Sequence, residues 1–197
     1  YWISYGKWLA AQRDPAIFQA KEKLIFRQTS DSIIGTFITN PFVMRNNTHI
    51  LLKRDDKVDL KYVLSILNSR LTDFVYWSLN PEKGEALAEV KAFHLEKLMF
   101  KDISITQQQP FIEKADKMLE LNQQFHDSVA KFLRFLDASF HPKTRSTKLE
   151  TFYTLEFGDF VQELKKQKVT LSKKDEFELM SLFEDQKTQA VTLQQEI

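Results

Sequence analysis

Side chains able to read a nucleic-acid surface gather around two predicted turns near the front of the chain. Arg27, Gln28, Thr29, Ser30 and Asp31 surround the first, and Arg45, Asn46, Asn47 and Thr48 surround the second. Arg, Gln and Asn can each bond two edge atoms of a base in the major groove, while Lys and Arg neutralise phosphates. A purely structural reading stands beside this one, in which Asn46-Asn47 is an ordinary turn and Arg27 an outward strand residue.

Bond-breaking chemistry has less to work with. Asn40-Pro41-Phe42 comes near the Asn-Pro-Pro-Tyr type of loop that grips a flipped base, but the second proline is missing and no glycine-rich cofactor loop precedes it. Glu163-Leu164-Lys165 and Asp185-Gln186-Lys187 have the acid-x-lysine spacing of a metal-dependent nuclease. Both fall on predicted helices, where such pairs are routinely surface salt bridges. The histidines, His49, His94, His126 and His141, are far apart and none sits beside a Ser or acid in a nucleophile arrangement.

Composition narrows the field further. With 197 residues and 43% apolar content the chain can close a core, as one domain or two small ones. There is no cysteine, so disulfides, zinc knuckles, iron–sulfur clusters and thiol catalysis are excluded. The four glycines, at positions 6, 35, 84 and 158, are too scattered for a phosphate-cradling loop. No apolar run reaches the length of a membrane span and no secretory signal is evident, so no membrane association and a cytoplasmic location are expected. The first residue is Tyr1 rather than Met, from which a piece of a longer polypeptide is expected.

The net charge of +1 hides an uneven distribution. Residues 1–54 carry eight bases and three acids, a net of +5, and the remainder sums to −4. A basic front end fits either a local anionic partner, nucleic acid above all, or a solvated basic face.

The pattern along the chain predicts an α+β fold. Lys23 to Thr29 and Ser32 to Thr39 read as a hairpin around Ser30-Asp31, with another strand at Thr48 to Lys53 after a polar turn. Beyond Asp55-Asp56 the period changes to 3.6: Asp59 is a plausible N-cap for one helix with Leu60, Val63, Leu64, Leu67, Leu71, Phe74 and Val75 on its apolar face, stopped by Asn80-Pro81. A short helix around Leu87 to Phe93 and an extended stretch from Leu98 to Ile105 follow. Gln107-Gln108-Gln109-Pro110 marks a boundary. Phe111, Ala115, Met118, Asn122, Phe125, Val129, Phe132 and Leu136 then form a heptad seam on a helix from about 111 to 140, roughly 45 Å long. Asn122 is the polar residue inside that seam, where a buried amide can fix register; an ordinary core helix with a wet gap is the alternative. After His141-Pro142 a polar linker leads to a helix carrying Phe157, Phe160, Val161 and Leu164. Ser172 and Asp175 then resemble a capping box opening a last helix with the stripe Phe177, Met180, Phe183, Ala190, Ile197.

Four segments in succession carry a family resemblance. Tyr5-Gly6-Lys7-Trp8-Leu9-Ala10-Ala11-Gln12-Arg13, Lys23-Leu24-Ile25-Phe26-Arg27-Gln28-Thr29, Asn47-Thr48-His49 and Leu64-Ser65-Ile66-Leu67-Asn68-Ser69-Arg70-Leu71 resemble the C-terminal target-recognition domain of adenine-specific (N6) DNA methyltransferases. The fused restriction–methylation enzymes called type IIG come nearest. The later Lys148-Leu149-Glu150 and Tyr153-Thr154-Leu155-Glu156-Phe157 resemble the trailer behind that domain in this group. The resemblance implies a DNA specificity domain serving a methyltransferase domain upstream, which binds S-adenosylmethionine and methylates a flipped adenine. It also implies Mg where a nuclease is fused.

The organisation expected is thus a target-recognition domain over 1–105, a long spacer or docking helix over 106–142, and a helical C-terminal region over 143–197. Its partners are double-stranded DNA and the upstream methyltransferase domain. Within these residues no catalytic centre, metal or cofactor is expected. Lys7, Arg13, Lys21, Lys23 and Arg54 are the expected phosphate contacts, and Arg27, Gln28, Ser30, Arg45 and Asn46 the candidates to approach base edges. The competing reading is a non-catalytic interaction module that oligomerises through the heptad helix.

Overall fold

A computed structural model describes residues 6, 13–44 and 47–197, and the chain divides into two units, Tyr1–Lys117 and Met118–Ile197. The first is α+β. Its opening helix α1 (Pro15–Gln19) is capped by Asp14, whose carboxylate accepts from the Ala16 amide at 2.9 Å, with Pro15 in the first turn where a missing N–H is harmless. Strands β1 (Lys23–Arg27), β2 (Gly35–Ile38) and β3 (Thr48–Leu51) form an antiparallel sheet in the order β2-β1-β3. The most buried strand takes the centre, with Lys23, Leu24 and Phe26 buried. β2 begins later than the sequence pattern suggests because residues 28–34 form a loop bonded to the helices that follow.

The single helix expected after Asp59 is two. Helix α2 (Leu60–Leu67) starts as predicted, with the Asp59 carboxylate accepting from the Lys61 amide at 2.7 Å. It stops at Asn68, and Ser69 caps a new helix, α3 (Arg70–Leu79), by accepting from the Thr72 amide at 3.2 Å. The break changes which residues face inward. Leu71 and Phe74, expected on the buried stripe, are 72% and 69% exposed, while Thr72 and Tyr76 are buried. Short polar side chains that can bond their own backbone compete with helix continuation, and Asn68-Ser69 supplies two in a row. The next helix, α4, covers only Ala92–Leu95.

Helix α5 runs from Ile105 to Phe140, so the expected boundary at 107–110 lies inside it, Pro110 included. Its start is a reciprocal cap: Ser104 Oγ accepts from the Gln107 amide at 3.4 Å, and Gln107 Oε1 accepts from the Ser104 amide at 3.1 Å. Gln108 is buried. Its Oε1 accepts from the Asp59 amide at 2.9 Å, and its Nε2 donates to the carbonyls of Lys57 at 2.8 Å and Ile103 at 3.0 Å. The division between the two units, at Lys117 and Met118, falls within this helix.

Phe111 meets Tyr62 edge to face at 5.4 Å and Ala115 is buried in the first unit, whereas Phe132 and Leu136 are buried in the core of the second. Asn122 donates to the Met118 carbonyl of its own helix at 2.8 Å.

The second unit is helical. Where a polar linker was expected, Ser146 caps α6 (Thr147–Glu150), followed by a 3-10 turn at Phe152–Thr154. Helix α7 (Phe157–Lys166) buries Phe160, Val161 and Leu164, and α8 (Lys173–Glu196) opens on the Ser172–Asp175 capping box the sequence suggests. Its buried stripe is Leu179, Phe183 and Ala190, leaving Phe177 exposed. Phe132 packs on Phe152 with centroids 4.3 Å apart, and Phe160 on Phe183 at 4.7 Å. Among the described residues no helix is long and apolar enough to cross a membrane.

Candidate nucleic-acid interface

β1 ends where β3 begins, and the antiparallel register sets Arg27 opposite Thr48 and Phe26 opposite His49. The pairing runs one step further, as the Gln28 amide donates to the Asn47 carbonyl at 3.1 Å. Residues 27–31 of the first turn and residues 47–48 of the second therefore lie side by side at one end of the sheet. Arg13 joins them, its Nη2 donating to the Thr48 carbonyl at 3.1 Å. Arg27 is exposed and makes no ion pair among the described residues. Arg45 and Asn46 of the second turn, and Lys7, lie outside the described residues.

The loop between β1 and β2 is held along its length. The Val90 amide donates to the Gln28 carbonyl at 2.7 Å, and Thr29 bridges to Glu89. Ser30 Oγ accepts from the Ser32 amide at 3.2 Å, a local turn that takes up one face of its hydroxyl. From α3, Asp73 Oδ1 accepts from the Ile33 amide at 3.1 Å and Trp77 Nε1 donates to the Asp31 carbonyl at 2.8 Å. The Gly84 amide donates to Asp31 Oδ2 at 3.1 Å. A loop fixed this way presents its outward side chains with little ordering left to do on binding.

The supporting segment at 89–91 is itself anchored. The Tyr76 hydroxyl donates to the Glu89 carbonyl at 3.2 Å and accepts from the Lys91 amide at 3.0 Å and from Asn80 Nδ2 at 3.1 Å. His49 Nε2 lies 2.6 Å from the Val90 carbonyl, the arrangement of an Nε2–H donor. Lys91 pairs with Glu82, which also accepts from the Glu89 amide at 2.9 Å. The Lys91 ammonium first, then that amide, holds the Glu82 carboxyl below the usual carboxylate range. Beneath, burial pushes the His94 imidazole below its ordinary value, with Lys97 and Lys91 adding to the effect.

The expected phosphate contacts are divided by the fold. Lys21 precedes β1 and Arg54 follows β3, both exposed, toward the end of the sheet where Leu24 pairs with Leu51. That end is about 13 Å from Arg27 along a five-residue strand. Lys23 departs from the expectation. It is 0% exposed, and its ammonium donates to the carbonyls of Phe18 at 2.7 Å and Ala20 at 2.9 Å. It closes the end of α1 and has no surface with which to meet a phosphate. In β1 the residue just inside the strand belongs to the core whatever its charge, and the buried stem of a lysine lets its head reach nearby carbonyls.

Residues 1–98 match a family described as the TaqI-like C-terminal specificity domain. Residues 1–98 are a TaqI-like C-terminal specificity domain. A second match covers residues 104–197, to a domain of unknown function (DUF8810). No curated protein and no solved structure matches the chain. The specificity-domain assignment supports a DNA-recognition role in restriction–modification for the unit that brings Arg13, Arg27, Gln28 and the 47–48 turn together.

Within the specificity domain, the residues that shape this end of the sheet were only partly visible in sequence. Asp73 and Trp77 bond the loop, Tyr76 holds the 89–91 segment beside it and Asn68 bonds Gly35 where β2 begins, yet by type they read as helix surface or core. The consecutive Asn68-Ser69 was the available signal, as a helix stop followed by a cap. Among the described residues, no group of three or more His, Asp or Glu side chains is placed to hold a metal ion.

Proposed function

We propose that the specificity domain reads a short duplex DNA sequence for an S-adenosylmethionine-dependent adenine-N6 methyltransferase domain lying upstream in the same polypeptide. The parent enzyme is of the type IIG restriction–methylation class, acts in the cytoplasm, and takes Mg where its nuclease is fused. The cofactor binds in that upstream domain, where it supplies the methyl group. The residues here bind and orient DNA.

One observation carries this reading: the register of β1 and β3 brings the 27–31 and 47–48 turns to the same end of the sheet, beside Arg13. Two loops at one end of a sheet, one carrying an exposed arginine, suit a base-reading edge. Lys21 and Arg54 supply backbone contacts farther along the sheet. Of the heptad seam on which the oligomerisation reading rests, Ala115, Phe132 and Leu136 are buried within this chain, whereas Phe111 and Met118 are exposed.

Duplex binding by the intact enzyme tests the proposal. Replacing Lys21 or Arg54 by Ala is expected to weaken binding to all sequences and lower the salt slope by about one unit, whereas Arg27→Ala is expected to cost about 1–3 kcal/mol and relax specificity at one position. Unchanged binding and unchanged specificity in all three variants would overturn it.

A further inference from the structure

The second unit contains a cleft of about 650 Å3 between α5 and α8. From α5 it is lined by Gln124, Ser128, Lys131 and Arg134, at helical steps of four, three and three that set them along one face, and from α8 by Gln189 and Thr192. Ser128 is 9% exposed and its buried hydroxyl has no hydrogen-bond partner. A hydroxyl kept from water without a partner is uncommon, and it marks a place where a ligand or water completes the structure. Lys131 and Arg134 are exposed and make no ion pair among the described residues. Elsewhere in the unit Arg145, Lys165, Lys166, Lys174 and Lys187 each have a carboxylate partner, while Lys143, Lys148, Lys168 and Lys173 make no ion pair among the described residues and do not line the cleft.

We propose that this cleft is a phosphate-binding site. The cations are one helical turn apart: the Arg134 fork matches two phosphate oxygens, Lys131 adds a point charge, and the Ser128 hydroxyl at the floor supplies a donor once it turns toward the ligand. The amides of Gln124 and Gln189 and the Thr192 hydroxyl suit the sugar attached to a phosphate rather than a bare ion, as does the size of the cleft. Asp127 also lines it and opposes an anion, leaving the lining at net +1. The chemistry is that of a phosphate ester, supplied by the DNA backbone or by a small phosphorylated molecule. The backbone is the source we assign, and that assignment rests on the proposed function. The cleft does not.

Two arms test it on the full chain. In the first, inorganic phosphate is titrated while the NMR signals of Ser128, Lys131 and Arg134 are followed, with chloride at matched ionic strength as control. Saturable shifts specific to phosphate are expected, abolished by Lys131→Ala/Arg134→Ala and strengthened about twofold to fivefold by Asp127→Asn. In the second, the salt slope of duplex binding is expected to fall by about one unit in Arg134→Ala. These substitutions change exposed side chains, so an unchanged urea midpoint identifies properly folded variants. No phosphate-specific response at these residues overturns the site. A phosphate response with an unaltered duplex slope overturns the DNA backbone as its source. A response in both arms, with Arg27, Lys21 and Arg54 all dispensable for duplex binding, overturns the placement of recognition in the first unit while the cleft stands.

Discussion

Asn68 closes the outer edge of the sheet through Gly35: its Oδ1 accepts from the Gly35 amide at 3.0 Å and its Nδ2 donates to the Gly35 carbonyl at 2.9 Å. Gly35 pairs with Phe26 on β1, and the carboxamide of Asn68 takes the place of a fourth strand on the other side. The same residue ends α2. One amide thus ties the sheet edge to the helix break that orients α3, the helix that holds the 28–34 loop.

Replacing Asn68 by Ala is therefore expected to lower stability by about 1 kcal/mol, modest because water can reach both Gly35 groups. Asn68→Asp keeps the acceptor but loses the donor and should fall between the two. Urea midpoints of the three proteins check the order.

Gly35 itself is expected to tolerate no side chain. A Cβ there would overlap Cε1 and Cδ1 of the Phe26 ring, which lies across the glycine. Gly35→Ala should destabilise by about 1–3 kcal/mol, the usual range for overpacking. The loss should shrink in a Phe26→Leu background, and a double-mutant cycle measures that coupling.

Lys23→Met is expected to act on stability and not on DNA. It removes two charge-assisted hydrogen bonds to the end of α1, a loss of about 3 kcal/mol. The salt slope of duplex binding should stay at the wild-type value, unlike that of Lys21→Ala. A drop of one unit in Lys23→Met would show that the lysine reaches phosphate.

Gln108→Ala should cost about 3 kcal/mol, because the Asp59 amide and two carbonyls lose a buried partner together. Thermal unfolding of this variant beside Gln109→Ala, which changes an exposed neighbour, separates the bridging role from helix propensity.

Acid sensitivity should trace in part to Glu163. The Ser146 hydroxyl first, then the Lys166 ammonium, lowers its folded pKa below the ordinary value of 4.5. A carboxyl lowered on folding contributes stability that is fully present above the unfolded value and lost as pH falls through the folded one. Urea midpoints should therefore decline below about pH 4.5, and Glu163→Gln should flatten that decline while lowering the neutral-pH midpoint. An acid limb unchanged in the variant would assign the sensitivity to other carboxyls.

Much of the local structure was legible because it depends on neighbours in sequence. Asp59 and Ser172 cap helices where their types and positions suggest, and the β1–β2 hairpin forms around Ser30-Asp31. The cap at Ser104 was equally local, but the glutamine run beside it reads as a boundary, and the run hides that Gln107 completes the cap. The end of the sheet carrying residues 27–31 and 47–48 was half legible. Loop composition marked the two turns, while their adjacency depends on β1 pairing with β3 at a particular register.

The sequence by itself determined most element types, the basic front, and the absence of cysteine chemistry, because propensity, periodicity and charge act over a few residues. Only the tertiary structure decided which cations face solvent and which residues support the loop. Lys21 and Lys23 are two residues apart and of one type, yet one is exposed and the other wholly buried. Burial depends on what packs across from a residue, and for Lys23 that is the end of α1, whose carbonyls give a buried ammonium its partners.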